Sequence, residues 1–371
     1  MTPPQKQSSD LAQSSITKLS AKSTQYSNPA TTSVANSIAM SRANSNSSAT
    51  NYTNGQKNNP SNSQSNQILP TLNVDGLRAN VKRLSFDKFV YMVAPLEENS
   101  DAALRTICYR HGADMTFTEM TRVQGLVKKN KSTWSRLTVY DDTPYMIQLL
   151  AGRESDVEKF LQVFEPPKSG CFYGFNLNMG CPSPEVISLG LGSAFMKRVA
   201  KAQRLIDIFR KYGYPVSLKI RLGLNAYEKE KKTYLNIIRA TTPDFFIVHA
   251  RHGAQTYSEP SDFCAYKEIV DEATKLGKII VANGDIVSTE KVDFLKSVGV
   301  RGAMIGRGAV WNPAIFEKLK GANETQLPTI EALRKEYEQL ADAYNSHPRY
   351  KANVLLRMGK NAAQLDKNLL I

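Results

Sequence analysis

From about residue 86 to residue 321, short runs rich in Val, Ile, Phe and Leu alternate with longer segments of helical period. The runs are FVYMVA (89–94), DMTFTE (114–119), YMIQLL (145–150), FYGFNLN (172–178), VSLKIR (216–221), FFIVHA (245–250), IIVANG (279–284) and GAMIGR (302–307). Among the intervening segments, SAFMKRVAKAQRLIDIFRKYG (193–213) repeats Phe195, Val199, Ala202, Leu205 and Ile206 at helical spacing, with Gly213 as its stop. Strands and helices in regular alternation bury their apolar faces by lining up a parallel sheet under a layer of helices. Eight such repeats predict a (β/α)8 TIM barrel.

The flanks read differently. Up to Pro70 the chain is dominated by Ser, Asn, Thr and Gln, and it holds too little apolar surface to offset the entropy of ordering. Residues 1–85 are therefore expected to be a disordered tail, residues 86–321 the barrel and residues 322–371 a C-terminal helical segment. In that segment TIEALRKEYEQLADAY (329–344) puts Ile330, Leu333, Tyr337, Leu340 and Tyr344 on one face. ANVLLRMGKNAAQLDKNLLI (352–371) continues with Val354, Leu355, Met358, Ala362 and Leu365, so the bundle is either short or cut.

Charge and cysteine usage narrow the class. The net charge is +14, of which five Lys/Arg and one Asp place +4 on the tail and leave +10 on the rest. Such an excess points to a polyanionic partner. Cys108, Cys171, Cys181 and Cys264 show no metal-ligand spacing, so reduced thiols and no metal are expected. With no apolar run of eighteen residues and no signal-peptide layout, a cytoplasmic address and no membrane partner are expected.

Barrel chemistry gathers at the C-terminal ends of the strands. Those ends carry Pro95, Glu119, Gln148, Asn178 with Cys181, Lys219 with Arg221, His249 with Arg251, Asn283 with Asp285, and Arg307. Polar residues at nearly every end are more than solvated rims require. NGD (283–285) and GRG (306–308) close the last two strands, where glycine lets backbone N–H groups approach an oxyanion, so a phosphate-bearing cofactor or substrate is expected.

Taken in order, NMGCP (178–182), VSLKIRLG (216–223), ANGDI (282–286) and MIGRG (304–308) resemble the tRNA-dihydrouridine synthases, in register from about Phe89 to Leu319. The resemblance implies an FMN-dependent barrel with a helical domain that helps grip tRNA, reduced by NADPH, and converting particular uridines to 5,6-dihydrouridine. Carried over, Pro95, Leu96 and Glu97 match the first-strand flavin loop, Gln148 and Lys219 match polar contacts to the isoalloxazine, and His249 matches a further flavin-site residue. Asn283, Gly284, Asp285, Gly306 and Arg307 match the part that holds the flavin phosphate, and Cys181 matches the proton donor. The chain departs from the family in its first loop, APLEEN (94–99), and in HARHG (249–253), which keeps Arg251 but has Gly253 where a second arginine is frequent.

The implied chemistry explains the thiol. Hydride addition at C6 of uracil leaves an enolate that must be protonated at C5, and Cys181 on a flexible loop above the flavin would supply that proton. The alternative is an FMN barrel acting on a free pyrimidine, like a dihydroorotate dehydrogenase, which needs neither a basic surface nor trailing helices. A monomer is expected.

Overall fold

The structure is a computed structural model that describes residues 81–167 and 171–360. The Ser/Asn-rich segment through residue 80, and Ala362 and Leu365 near the C-terminus, lie outside the described residues. Parallel strands β1 (Val90–Val93), β2 (Thr116–Phe117), β3 (Thr121–Arg122), β4 (Tyr145–Leu150), β5 (Phe172–Met179), β6 (Val216–Arg221), β7 (Phe246–His249), β8 (Ile280–Asn283) and β9 (Gly302–Ile305) form one sheet. Its order is β1-β9-β8-β7-β6-β5-β4-β2, and a parallel bridge from Met92 to Met115 brings β2 back to β1. The expected eight-stranded barrel is thus present. Strand β3, which the sequence did not suggest, pairs with the end of β4.

Period-2 alternation divides the apolar residues into two layers. Val90, Met92, Met115, Phe117, Met146, Ile247, Val281 and Met304 fill the barrel's lower interior. Ile147, Leu149, Phe175, Leu177, Leu218, Ile220, Phe246 and Val248 point outward against the helices. One residue breaks this parity. The β4–β5 register shifts between Tyr145 and Ile147, opposite Gly174, whose φ is +104°. The bulge places Phe175 outside and turns Asn176 and Asn178 inward. A Cβ on Gly174 would collide with the Pro215 carbonyl oxygen. Gly174→Ala is therefore expected to destabilise the barrel by about 2 kcal/mol or more, read as a lower urea midpoint at unchanged slope.

The expected single helix over 193–213 is instead two pieces, a 3-10 turn Gly192–Lys197 and an α-helix Val199–Lys211. The 3-10 piece is seated on the thiol loop: Ser193 gives both its N–H and its hydroxyl to the Cys181 carbonyl, at 3.0 and 3.1 Å, and the α-helix begins only after Arg198.

After the barrel, helices Ile330–Ala343 and Pro348–Arg357 follow. The first packs on helix Ala102–Arg110, burying Leu333 and Tyr337. Three tyrosines on or just after these helices each donate to a barrel carboxylate: Tyr337 to Asp101 at 3.3 Å, Tyr344 to Asp141 at 2.9 Å, and Tyr350 to Glu119. No helix among the described residues is long and apolar enough to cross a membrane.

Candidate functional site

Above the apolar lower layer, the inward positions of β4 to β8 become polar. Gln148 donates through Nε2 to Asn176 Oδ1 at 2.7 Å and accepts from Asn178 Nδ2 at 2.9 Å, and Asn176 donates to Ser217 Oγ at 2.8 Å. Gln148, Asn176 and Ser217 are buried and Asn178 partly so, and pairing across adjacent strands satisfies them. The network holds Asn178 upright. Its Oδ1 accepts the N–H groups of Gly180 at 3.1 Å and of Cys181 at 2.9 Å.

Cys181 is therefore not on a free loop. Two hydrogen bonds from Asn178 to the backbone of its loop and two from Ser193 to its carbonyl hold it at the barrel mouth. Burial pushes its thiol above the ordinary range and Glu97 adds to that, while the Ser183 N–H and the cations Arg221 and Lys219 pull the other way. The group retains its proton at neutral pH, as an acid must.

Lys219 projects from β6 and donates to Asn283 Oδ1 at 2.8 Å. Burial, aided by the neighbouring Arg221, lowers its ammonium to about 7. Beside it His249 is buried, and its Nε2 accepts from Arg251 Nη1 at 3.2 Å. A guanidinium can only donate, so Nε2 carries the lone pair. Desolvation, with Arg221, Lys219, Arg251 and Arg307 nearby, holds this imidazole neutral, well below the ordinary histidine range.

The last two strand ends form a charged cluster. Gly284 has φ +116°, and a Cβ there would lie 2.7 Å from the His249 ring, so the chain turns tightly against the imidazole. The Asp285 carboxylate faces Arg251 and accepts from Arg307 at 2.7 Å and from Ser261 Oγ at 3.2 Å. Burial raises its carboxyl, but these partners outweigh burial and hold it below the usual carboxylate range. A cavity of about 350 Å³ opens here, lined by Tyr257, Asp285, Lys291, Gly306, Arg307 and Trp311. The Arg307 guanidinium stacks 4.3 Å from the Tyr257 ring centre.

The sequence-derived residues thus meet at one mouth, but not all face into it. Gln148 is mostly engaged with two asparagines, Asn283 bridges Lys219 to the Met304 carbonyl, and the Asp285 side chain turns to arginines. These three position neighbours. Leu96 lies beside Gly306, and Glu97 is exposed within electrostatic reach of Cys181. Residues the sequence reading missed include Asn176, Ser217, Tyr257 and Tyr266. The alternation of asparagines in FNLN after a glycine was a usable signal for Asn176. Nothing local marks Tyr266, whose hydroxyl accepts the Asn283 N–H at 2.9 Å and donates to the Asn283 and Val248 carbonyls.

Chemically the mouth is cationic, with Arg251 and Arg307 on the Asp285 carboxylate and Arg221 beside Lys219, and it carries one protonated thiol. It suits an anionic ligand and an acid-assisted step.

A model of the dihydrouridine synthase (Dus) family matches residues 92–364. A probable tRNA-dihydrouridine synthase of Rhizobium leguminosarum bv. phaseoli is 30% identical over 264 residues, covering 68% of this chain and 79% of that protein. Probable tRNA-dihydrouridine synthase 2 of Bacillus subtilis is 31% identical over 238 residues, covering 62% and 71%.

Proposed function

This chain belongs to the dihydrouridine synthase family, and on that premise we propose that it reduces uridines of tRNA to 5,6-dihydrouridine, with FMN as bound cofactor and NADPH as reductant. The observation that carries the reading is the protonated Cys181 thiol, tethered over a mouth that also gathers Lys219, Arg221, Arg251 and Arg307.

The residues present fit a flavin mononucleotide. Lys219 and His249 offer polar groups that would suit a polar ring edge, and Gln148 holds Asn178, which in turn holds the Cys181 loop. The backbone of Gly306 and Arg307, backed by the Arg251 and Arg307 guanidiniums, suits a phosphate dianion. Asn283, Gly284 and Asp285 shape that end, Asp285 by aiming the two arginines, while Pro95, Leu96 and Glu97 border the opposite side. When bound, FMN supplies the hydride that adds to C6 of the uracil.

The protein's own contribution is the proton. Cys181 gives its S–H proton to C5, and the Lys219 and Arg221 charges within electrostatic reach of Sγ stabilise the thiolate that remains. A uridine stacked in folded tRNA must leave its stack to reach this mouth. Lys and Arg contacts to phosphate would supply most of the affinity and make it salt-dependent. Family membership favours tRNA over the free-pyrimidine alternative. We place the reaction in the cytoplasm, carried out by a monomer.

The test is direct. The purified full chain, after reconstitution, is expected to show flavin absorbance bands that release FMN on denaturation, and to form dihydrouridine in tRNA isolated from cells lacking the gene. A colourless protein, or one that leaves such tRNA unmodified with NADPH present, overturns the proposal.

A further inference from the structure

The loop that follows β1 crosses the mouth, with Leu96 beside Gly306 at one side and Glu97 near Cys181 at the other. Its next residue, Glu98, adopts φ +58°, a left-handed backbone that a residue with a Cβ takes only when its surroundings require it. The loop's own turn, closed by the Asn99 N–H on the Leu96 carbonyl with Glu98 as its third residue, favours that backbone but leaves Glu98's own hydrogen-bonding groups to be held. Asn99 and Ser100 give their N–H groups to the Leu96 carbonyl, and the Ser100 hydroxyl closes the same turn, but Glu98 N–H has no partner within it.

What holds Glu98 comes from elsewhere. Its N–H donates to Glu119 Oε1 at 2.6 Å, its carboxylate pairs with Arg349 at 2.8 Å, and its carbonyl accepts from Asn353 Nδ2 at 3.3 Å. Glu119 is 2% exposed at the end of the second strand, and its other oxygen accepts the Tyr350 hydroxyl and faces Arg136 Nε at 3.7 Å. Arg349, Tyr350 and Asn353 all lie on helix Pro348–Arg357. One buried carboxylate therefore ties the loop across the mouth to the C-terminal helix.

We propose that Glu119 is a positioning residue for the reaction: it holds the Leu96–Glu98 loop in its left-handed turn, and with Tyr350 it makes the C-terminal helix part of the cofactor site. Its role in turnover rests on the dihydrouridine synthase reading, whereas its role in holding the loop does not. In the full chain, Glu119→Ala is expected to raise hydrogen exchange at the Glu98 amide by about 10-fold or more and to weaken FMN binding to the apoprotein several-fold. Its turnover should fall by about 10- to 100-fold, mostly in kcat, because the loop is displaced while Cys181 is untouched. Glu119→Gln keeps an acceptor oxygen for the Glu98 N–H and should recover most of these losses. Tyr350→Phe, which leaves the Glu98–Glu119 bond in place, should give a smaller change in the same direction, and it carries the test if Glu119→Ala does not fold.

Hydrogen exchange needs neither flavin nor tRNA. If the wild-type chain makes no dihydrouridine, the functional reading fails while the clamp is still read from the Glu98 amide. Exchange and FMN affinity unchanged in Glu119→Ala, or equal defects in Glu119→Ala and Glu119→Gln, overturn the clamp.

Discussion

Cys181→Ala is expected to lower dihydrouridine formation by about 10²- to 10⁴-fold, the usual contribution of a placed general acid, while FMN and tRNA binding stay near wild type. The expectation follows from how the thiol is held. Asn178 and Ser193 anchor the backbone on both sides of Sγ, so removing sulfur leaves the loop in place. Cys181→Ser keeps a hydroxyl at the same point but offers a much weaker acid, and should fall between the two. The pH dependence has a definite sign. Because burial pushes the thiol pKa up, the acid is protonated below that raised value, and the rate should decline only as pH rises above the ordinary thiol range. Single-turnover measurements with pre-reduced enzyme isolate the step. Near-wild-type turnover in Cys181→Ala would mean that another group supplies the proton.

Ending the chain at Gly321 is expected to damage the barrel itself, on the order of 3–5 kcal/mol, and to lower the melting temperature by roughly 10 °C. The helices removed cover the outer face of helix Ala102–Arg110 through Leu333 and Tyr337, both fully buried. Their loss also takes the Tyr350 hydroxyl from Glu119. Glu119 keeps the Glu98 N–H and the Arg136 charge, so this one lost hydrogen bond to a carboxylate costs roughly 1.5–3 kcal/mol. FMN affinity should fall with stability, since Arg349 and Asn353 leave Glu98 at the same time. From the sequence alone, the lysines and arginines of this segment suggest that tRNA affinity falls far more than flavin affinity. The structure argues otherwise, because Arg334 donates to the carbonyls of Leu355 and Met358, and Arg349 and Lys351 pair with Glu98 and Asp342. Thermal denaturation and FMN titration of the truncated chain decide the point. Unchanged melting and FMN affinity with only tRNA binding lost would restore the simpler view.

Local pattern was enough for the barrel. Alternation with period 2 and period 3.6, punctuated by glycine, depends on neighbours within a few residues. FVYMVA, VSLKIR and GAMIGR therefore read as strands without knowledge of their partners, whereas Cys181, in GCP after FYGFNLN, was singled out by the resemblance of NMGCP and its companion motifs to a family. The parity of β5 was half legible: the glycine in FYGFNLN is visible, but the bulge that turns Asn176 and Asn178 inward lies in the pairing with β4, and the Pro215 carbonyl that leaves no room for a Cβ at Gly174 comes from 41 residues on. The break of the 193–213 segment was not legible, since its helical spacing is sound and the Cys181 carbonyl on which Ser193 seats the 3-10 piece lies twelve residues earlier, in another loop. The orientation of Asp285 was decided by Arg251 and Arg307, and the clamp on the β1 loop by Glu119 and Tyr350, which lie 231 residues apart. Contacts across such separations leave no trace in a window of a few residues, so only the closed barrel and the helices docked on it could bring those groups together.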